Sequence, residues 1–188
     1  MTRIVAGFAG SLGLQVPRSG TRPTSDRVRE AIFSALESRN AIRGSRALDL
    51  FAGSGALGLE AASRGASAVT LVERSSAAAA ICRRNAAAVL RAAPRAAQPT
   101  IDVAATTVQG FLTASSATFD LVFVDPPYDL GEDELGAVLT ALVPLLAPEA
   151  IVCVERSTRS TEPGWPAGLL LDRRKDYGET AVWWLERE

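Results

Sequence analysis

The stretch FDLVFVDPPYDL, Phe119 to Leu130, ends an apolar run in Asp125-Pro126-Pro127-Tyr128. Two successive prolines stop a strand, because neither donates to a sheet ladder and each restricts the residue before it. Such an ending can hold acceptors rigidly. The exocyclic amine of a nucleobase is a poor nucleophile, since its lone pair is delocalised into the ring. The Asp125 carboxylate and the Pro126 carbonyl can accept both amine hydrogens and favour a more pyramidal nitrogen, while Pro127 stiffens the turn. Asp125 can then take the proton once the nitrogen has gained a methyl group. Tyr128 offers a face on which an extruded base can stack.

A second motif lies upstream. LDLFAGSGALGLE carries Gly53-x-Gly55-x-x-Gly58 directly after an apolar strand and at the opening of a helix. Glycines there permit a tight turn and close approach of a ligand to backbone N–H groups. Glu73 ends the next strand, at the distance expected of an acid that accepts from ribose hydroxyls. A dinucleotide fits these two features as well as any nucleoside ligand. Asp49, four residues before the glycine turn, would repel a pyrophosphate and attract a cation such as the sulfonium and amino group of S-adenosylmethionine. Asp49 can instead cap the loop's own N–H groups.

The 188 residues contain no histidine, which excludes Ser-His-Asp and Cys-His machinery, HExxH zinc sites and His-zinc deaminases. Cys82 and Cys153 stand in no metal spacing and read as small core residues in a reducing cytoplasm, so no metal is expected. Neither cysteine follows a proline, as a C5-cytosine nucleophile would.

The elements that must position these motifs follow from periodicity. Residues 1–20, punctuated by Gly7, Gly10 and Gly13, predict a β-hairpin extension with strands over 2–6 and 12–16, rather than a signal peptide. The remaining domain, 21–188, opens with a helix capped by Thr24 or Ser25, its apolar face set by Val28, Ile32 and Leu36, with Arg27 and Arg29 pointing elsewhere. From Ser45 strands and helices alternate, which predicts an α/β doubly wound parallel sheet. The strands expected are RALDLF, AVTLVE, TIDVAATT, FDLVFV and AIVCVE, and the helices are GALGLEAASRG, SSAAAAICRRNAAAVLRAA and DELGAVLTALVPLL, the last kinked or ended by Pro144. Segments 92–99 and 113–118 read as loops. GLLLDRRK and TAVWWLE flank DYGE as a closing hairpin, and of the alternating Trp183 and Trp184 one is expected in the core. No run is long enough to span a membrane, and no apolar surface stripe argues against a monomer.

Charge is uneven. Residues 1–46 carry eight arginines against Asp26, Glu30 and Glu37, while the remainder carries twelve basic and eighteen acidic residues. A basic first quarter suits an anionic partner such as nucleic acid, and suits a solvated face equally well.

The segments TRPTSDRVREAIFSAL, LDLFAGSGALGLEAASRGA and LVFVDPPY, framed by RIVAGFAGSLGL and YGETAVWWLERE, resemble the RsmD family of bacterial 16S rRNA guanine-N2 methyltransferases over nearly the whole chain. The resemblance implies a class I methyltransferase fold: a Rossmann-like three-layer sandwich around a seven-stranded, mostly parallel sheet with an antiparallel last strand. It implies S-adenosylmethionine as donor and, as acceptor, the N2 amine of one guanine in 16S rRNA of a nearly assembled small subunit, in the cytoplasm. On that pattern Asp49, Gly53, Gly55 and Gly58 line the methionine part, with Phe51 in the same loop, and Glu73 holds the ribose. Arg74 and Ser75 pass the adenine edge. Thr107 stands where related enzymes carry Asp or Asn toward the adenine amine, a departure that leaves Val108 to pack the ring. Thr24, Arg22 and Arg27 lie in the block beside the cofactor. Arg3, Arg18, Arg22 and Arg27 would face RNA, as would Arg174, Lys175 and Tyr177 in a turn between the last two strands if the penultimate strand is parallel.

Other readings compete. A DNA adenine or cytosine amino-methyltransferase shares the chemistry, but no sizeable target-recognition region is present. Protein glutamine methylation usually pairs with Asn where this chain has Asp125. A Rossmann oxidoreductase or a non-catalytic RNA-binding module would use the loop or the basic face alone.

Overall fold

The computed structural model describes residues 2–17 and 25–188. Nine strands are present among them: β1 (Thr2–Arg3), β2 (Gly13–Leu14), β3 (Arg46–Leu50), β4 (Ala68–Val72), β5 (Thr100–Ala104), β6 (Phe119–Val124), β7 (Leu146–Ser157), β8 (Leu169–Tyr177) and β9 (Thr180–Arg187). The helices are α1 (Asp26–Ser38), α2 (Ala56–Ser63), α3 (Ser76–Ala92), α4 (Val108–Ala114) and α5 (Glu132–Leu142). Strands β3 to β9 form one seven-stranded sheet in the order β5-β4-β3-β6-β7-β9-β8. β5, β4, β3, β6 and β7 are mutually parallel, and β9 is antiparallel to both neighbours. β8 therefore runs with the parallel set, as the position of the closing turn requires.

Side chains alternate between the sheet's two faces. Ala47, Leu121, Phe123, Cys153, Val182 and Trp184 pack with α1, α2 and α3. Leu48, Val122, Val124, Val154, Trp183 and Leu185 pack with α4 and α5. A sheet buried on both faces produces continuous apolar strands, which is why these runs stand out in the sequence. The same fact corrects the tryptophan expectation. Both Trp183 and Trp184 are core residues, one on each face, because β9 lies inside the sheet and not at its edge.

Asp120, the one acid within β6, lies at the opposite end of the sheet from Asp125. Its carboxylate accepts from the Arg46 backbone N–H at 2.8 Å and from the Arg46 guanidinium at 2.9 and 3.0 Å. Those bonds hold the Asp120 carboxyl below its ordinary pKa.

The N-terminal hairpin pairs over fewer residues than its alternation predicts, Thr2 with Leu14 and Arg3 with Gly13. α2 takes much of the intervening backbone. Val5 and Ala6 donate to the two oxygens of Glu60 at 2.7 and 3.0 Å, Phe8 donates to the Ser63 carbonyl, and Ala9 to the Ser63 hydroxyl. Gly7 turns at φ +82° with backbone so close that a Cβ would sit 1.9 Å from the Ser63 carbonyl oxygen. Ile4, Ala9 and Leu14 belong to the core beneath α1 and α2, so the hairpin packs as part of the main body.

Arg29 corrects another expectation. It is wholly buried, donating to the Arg3 carbonyl and to Asp26 (2.8 Å), with its Nε 3.8 Å from the buried Glu60 carboxylate. The hairpin covers that flank of α1, so the helix has a wider buried face than its aliphatic stripe. No helix among the described residues is long and apolar enough to cross a membrane.

Candidate active site

The sheet changes direction of growth between β3 and β6, and the loops after these strands meet there, as a doubly wound sheet requires of its binding crevice. β3 delivers Asp49, followed by Phe51 at φ +64°, then Gly53 and Gly55 at φ +58° and +80°. A non-glycine residue held left-handed costs free energy, and such residues gather at ligand-holding turns. Gly55 is the N-cap of α2 and makes no side-chain cap bond.

Asp49 is 2% exposed, and its Oδ2 accepts the Gly58 N–H at 2.9 Å. Burial pushes its carboxyl up to about 7, a rise added to by the nearby Asp125 and Glu73 and opposed by the Gly58 bond. Gly58 lies beneath the loop. A Cβ there would meet Leu71 at 2.4 Å and Val69 at 2.9 Å, so this glycine lets α2 approach β4. Glu73 accepts from the Gly53 N–H at 2.9 Å and the Ser75 N–H at 2.7 Å, tying the loop to the end of β4. Each carboxylate oxygen keeps acceptor capacity for a hydroxyl pair.

The structure adds Asn85, which sequence reasoning passed over, and gives Cys82, expected only as a core residue, a place beneath the loop. Asn85, buried in the alanine-rich α3, donates to the Ser54 carbonyl at 2.8 Å and the Gln15 carbonyl at 2.9 Å, and accepts from the Gln15 N–H at 3.0 Å. It clamps the chain leaving the hairpin to the glycine loop. A lone amide on the apolar face of an Ala-rich helix was the available signal. Cys82 donates its S–H to the Gly53 carbonyl at 3.2 Å, and burial pushes the thiol up to about 12, so it is an inert loop support.

On the other side of the crevice β6 delivers Asp125. A cleft of about 70 Å³ is lined by Asp125, Pro126, Tyr128, Glu155, Arg156 and Thr180, among others. Pro126 is buried and the Tyr128 ring is 72% exposed. The Pro127 carbonyl accepts from Leu130 N–H at 3.0 Å, closing the turn, and Arg156 grips its far end through the Leu130 carbonyl (3.1 Å) and Glu132 (2.5 Å). Acids from three strand ends thus converge: Asp125 and Glu73 lie near enough to Asp49 to raise its carboxyl pKa.

The remaining expected residues are placed as follows. Ser75 caps α3, and Arg74 is exposed beside it. Thr107 caps α4, its hydroxyl accepting from Gly110 N–H at 3.1 Å, and Val108 is buried in the α4–α5 core. The third strand ends at Ala104, before both, and α4 fills the residues between the expected strand, 100–107, and the expected loop, 113–118, running two residues into the latter. Arg3 pairs with Asp26 at 3.3 Å and Arg27 is exposed on α1. Ser25 caps α1 through Val28 N–H, whereas Thr24, Arg18 and Arg22 lie outside the described residues. Arg174, Lys175 and Tyr177 belong to β8 itself and not to a turn. Paired with β9, the strand continues to Tyr177, opposite Thr180. Arg174 forks onto Asp176 and stacks over Trp183, and Lys175 lies over the Tyr177 ring. The turn that follows opens on the same edge as Asp125.

Comparison with known proteins agrees with this geometry. Residues 2–186 match the family model "Conserved hypothetical protein 95". The chain is 37% identical over 187 residues to Ribosomal RNA small subunit methyltransferase D of Escherichia coli K12, covering 99% of this chain and 90% of that protein. The solved structure of Escherichia coli yhhF superposes with a TM-score of 0.84 at 35% identity, covering 100% of this chain and 98% of that one. Magnesium protoporphyrin IX methyltransferase of Synechocystis PCC 6803, solved with bound SAM, shares the fold alone: TM-score 0.66 at 15% identity, over 86% of this chain and 79% of that one. A class I methyltransferase sheet, a glycine loop backed by acids and likeness over almost the full length together show that the chain belongs to the ribosomal RNA small subunit methyltransferase D family of S-adenosylmethionine-dependent enzymes.

Proposed function

We propose that this enzyme methylates the N2 amine of one guanine in 16S rRNA, acting as a monomer in the cytoplasm on a small subunit that is already largely assembled. The observation that carries the reading is the convergence of Asp49 and Asp125 at the switch between β3 and β6. The glycine loop and Glu73 hold the adenosyl part, and the ionised Asp49 attracts the donor's cationic end, while Arg74 and Thr107 flank the adenine. S-adenosylmethionine supplies the electrophilic methyl group. Asp125 and the Pro126 carbonyl accept the two amine hydrogens and aim the nitrogen, Pro127 and Arg156 keep that turn rigid, and Tyr128 supports the base. Asp125 receives the proton when the N–C bond forms, because the methylated ammonium is a far stronger acid than a carboxyl group. Most of the rate comes from orientation, since the chemistry needs little beyond an aligned nucleophile. Arg3, Arg27, Arg174, Lys175 and Tyr177 supply phosphate and stacking contacts around the crevice.

The test is transfer of labelled methyl from S-adenosylmethionine to three acceptors: small subunits from cells lacking the enzyme, protein-free 16S rRNA and duplex DNA. Label in the subunits, with little in DNA, supports the reading. Label in DNA at a comparable rate overturns it.

A further inference from the structure

The cleft beside Asp125 contains a second carboxylate whose role the methylation chemistry does not define. Val124 of β6 and Val154 of β7 are register partners in a parallel pair, so Asp125 and Glu155, the next residue on each strand, emerge side by side, with backbones about 5 Å apart. Both line the same cleft with Pro126 and Tyr128, and both border the small apolar cavity beneath it. Glu155 is itself the register partner of Val182 on β9, which fixes its backbone from that side.

We propose that Glu155 determines which base is accepted, by receiving the ring N–H that adjoins the amine. The inference rests on the amine-transfer reading above. Guanine presents three hydrogens along one edge, two on N2 and one on the adjacent N1. Asp125 with the Pro126 carbonyl takes the first two, and an acceptor one strand over lies in line for the third. Adenine and cytosine place a bare ring nitrogen next to their amines. In this cleft that lone pair would face a carboxylate, leaving a desolvated acceptor without a donor. A site built to accept a particular N–H rejects the analogue lacking it far more strongly than an apolar pocket rejects a missing methylene.

The experiment uses small subunits reconstituted around 16S rRNA that carries either guanine or 2-aminopurine at the methylated position. 2-Aminopurine retains the 2-amine and replaces N1–H with a bare nitrogen. The wild-type enzyme is expected to favour guanine by about a hundredfold in kcat/KM. Glu155→Gln, whose amide can donate as well as accept, is expected to shrink that preference to below about tenfold while binding S-adenosylhomocysteine normally. A variant that lost both substrates by the same factor would mark Glu155 as structural and overturn the proposal. So would wild-type enzyme that used both bases equally, whatever the variant did. Methyl transfer by the wild type to some atom other than guanine N2 would overturn the underlying reading first, and this proposal with it.

Discussion

The Asp49 carboxylate accepts the Gly58 N–H at 2.9 Å, so the acid at the tip of β3 and the third glycine of the motif hold each other beneath the loop. That bond secures one oxygen. Burial with two further acids nearby leaves the carboxyl poised at about 7, so the group can change charge with its ligand.

The sign of the pH dependence follows. A cationic ligand favours ionised Asp49, which must lose its proton below pH 7. S-adenosylmethionine affinity is expected to be about tenfold weaker at pH 6 than at pH 8, and Asp49→Asn to flatten the profile. In the free enzyme the same raised pKa means that the contribution of Asp49 to native stability falls as pH rises from about 4 to 7, because the folded state holds this proton more tightly than the unfolded chain does. Calorimetry across pH 6–8 checks the first part and thermal melts the second.

Asp125→Ala removes an amine acceptor and the proton's destination while leaving the glycine loop intact. Transfer is expected to fall by at least about a hundredfold with cofactor affinity changed less than about threefold. Single-turnover assays paired with S-adenosylhomocysteine titration separate the two. Near wild-type turnover would exclude the amine-positioning role.

Asn85→Ala would break three bonds that join Gln15 to Ser54. Leaving these part-buried groups unpaired is expected to cost about 2 kcal/mol of stability. Because the Ser54 carbonyl belongs to the loop, cofactor affinity should fall as well, which a mutation confined to the core would not produce. Denaturant melts with and without S-adenosylhomocysteine report both.

Glu60 anchors the hairpin. It accepts from Val5, Ala6 and Arg64 and faces the buried Arg29. Glu60→Ala would remove the buried counter-charge 3.8 Å from the Arg29 guanidinium and leave two backbone donors without their acceptor, an expected loss of about 3–5 kcal/mol in chemical denaturation. Glu60→Gln, keeping one acceptor oxygen, should recover part of it.

These residues mark what was legible in the chain. β3, β4 and β6 read clearly because strands covered on both faces are continuous apolar runs with sharp ends, and the two motifs sit at those ends. Arg29 and Glu60 did not, since helical periodicity classifies a charged residue as outward unless a distant segment covers it, and here the covering hairpin is more than fifty residues from Glu60 in sequence. α4 was missed for a local reason. At seven residues it is too short for its periodicity to emerge, and Thr107, read through its cofactor position, is its cap. Arg174 and Lys175 were placed in the turn that joins the last two strands. They are exposed, but on the edge strand β8, where charged side chains discourage further strand pairing.

The central claim is that the Asp125 turn presents a guanine amine to a methyl donor. Its most direct test is nucleoside mass spectrometry of 16S rRNA from deficient small subunits after incubation with the enzyme and labelled S-adenosylmethionine. Label is expected in N2-methylguanosine at a single position, absent with Asp125→Ala. Label in N6-methyladenosine, N4-methylcytidine or ribosomal protein would contradict it.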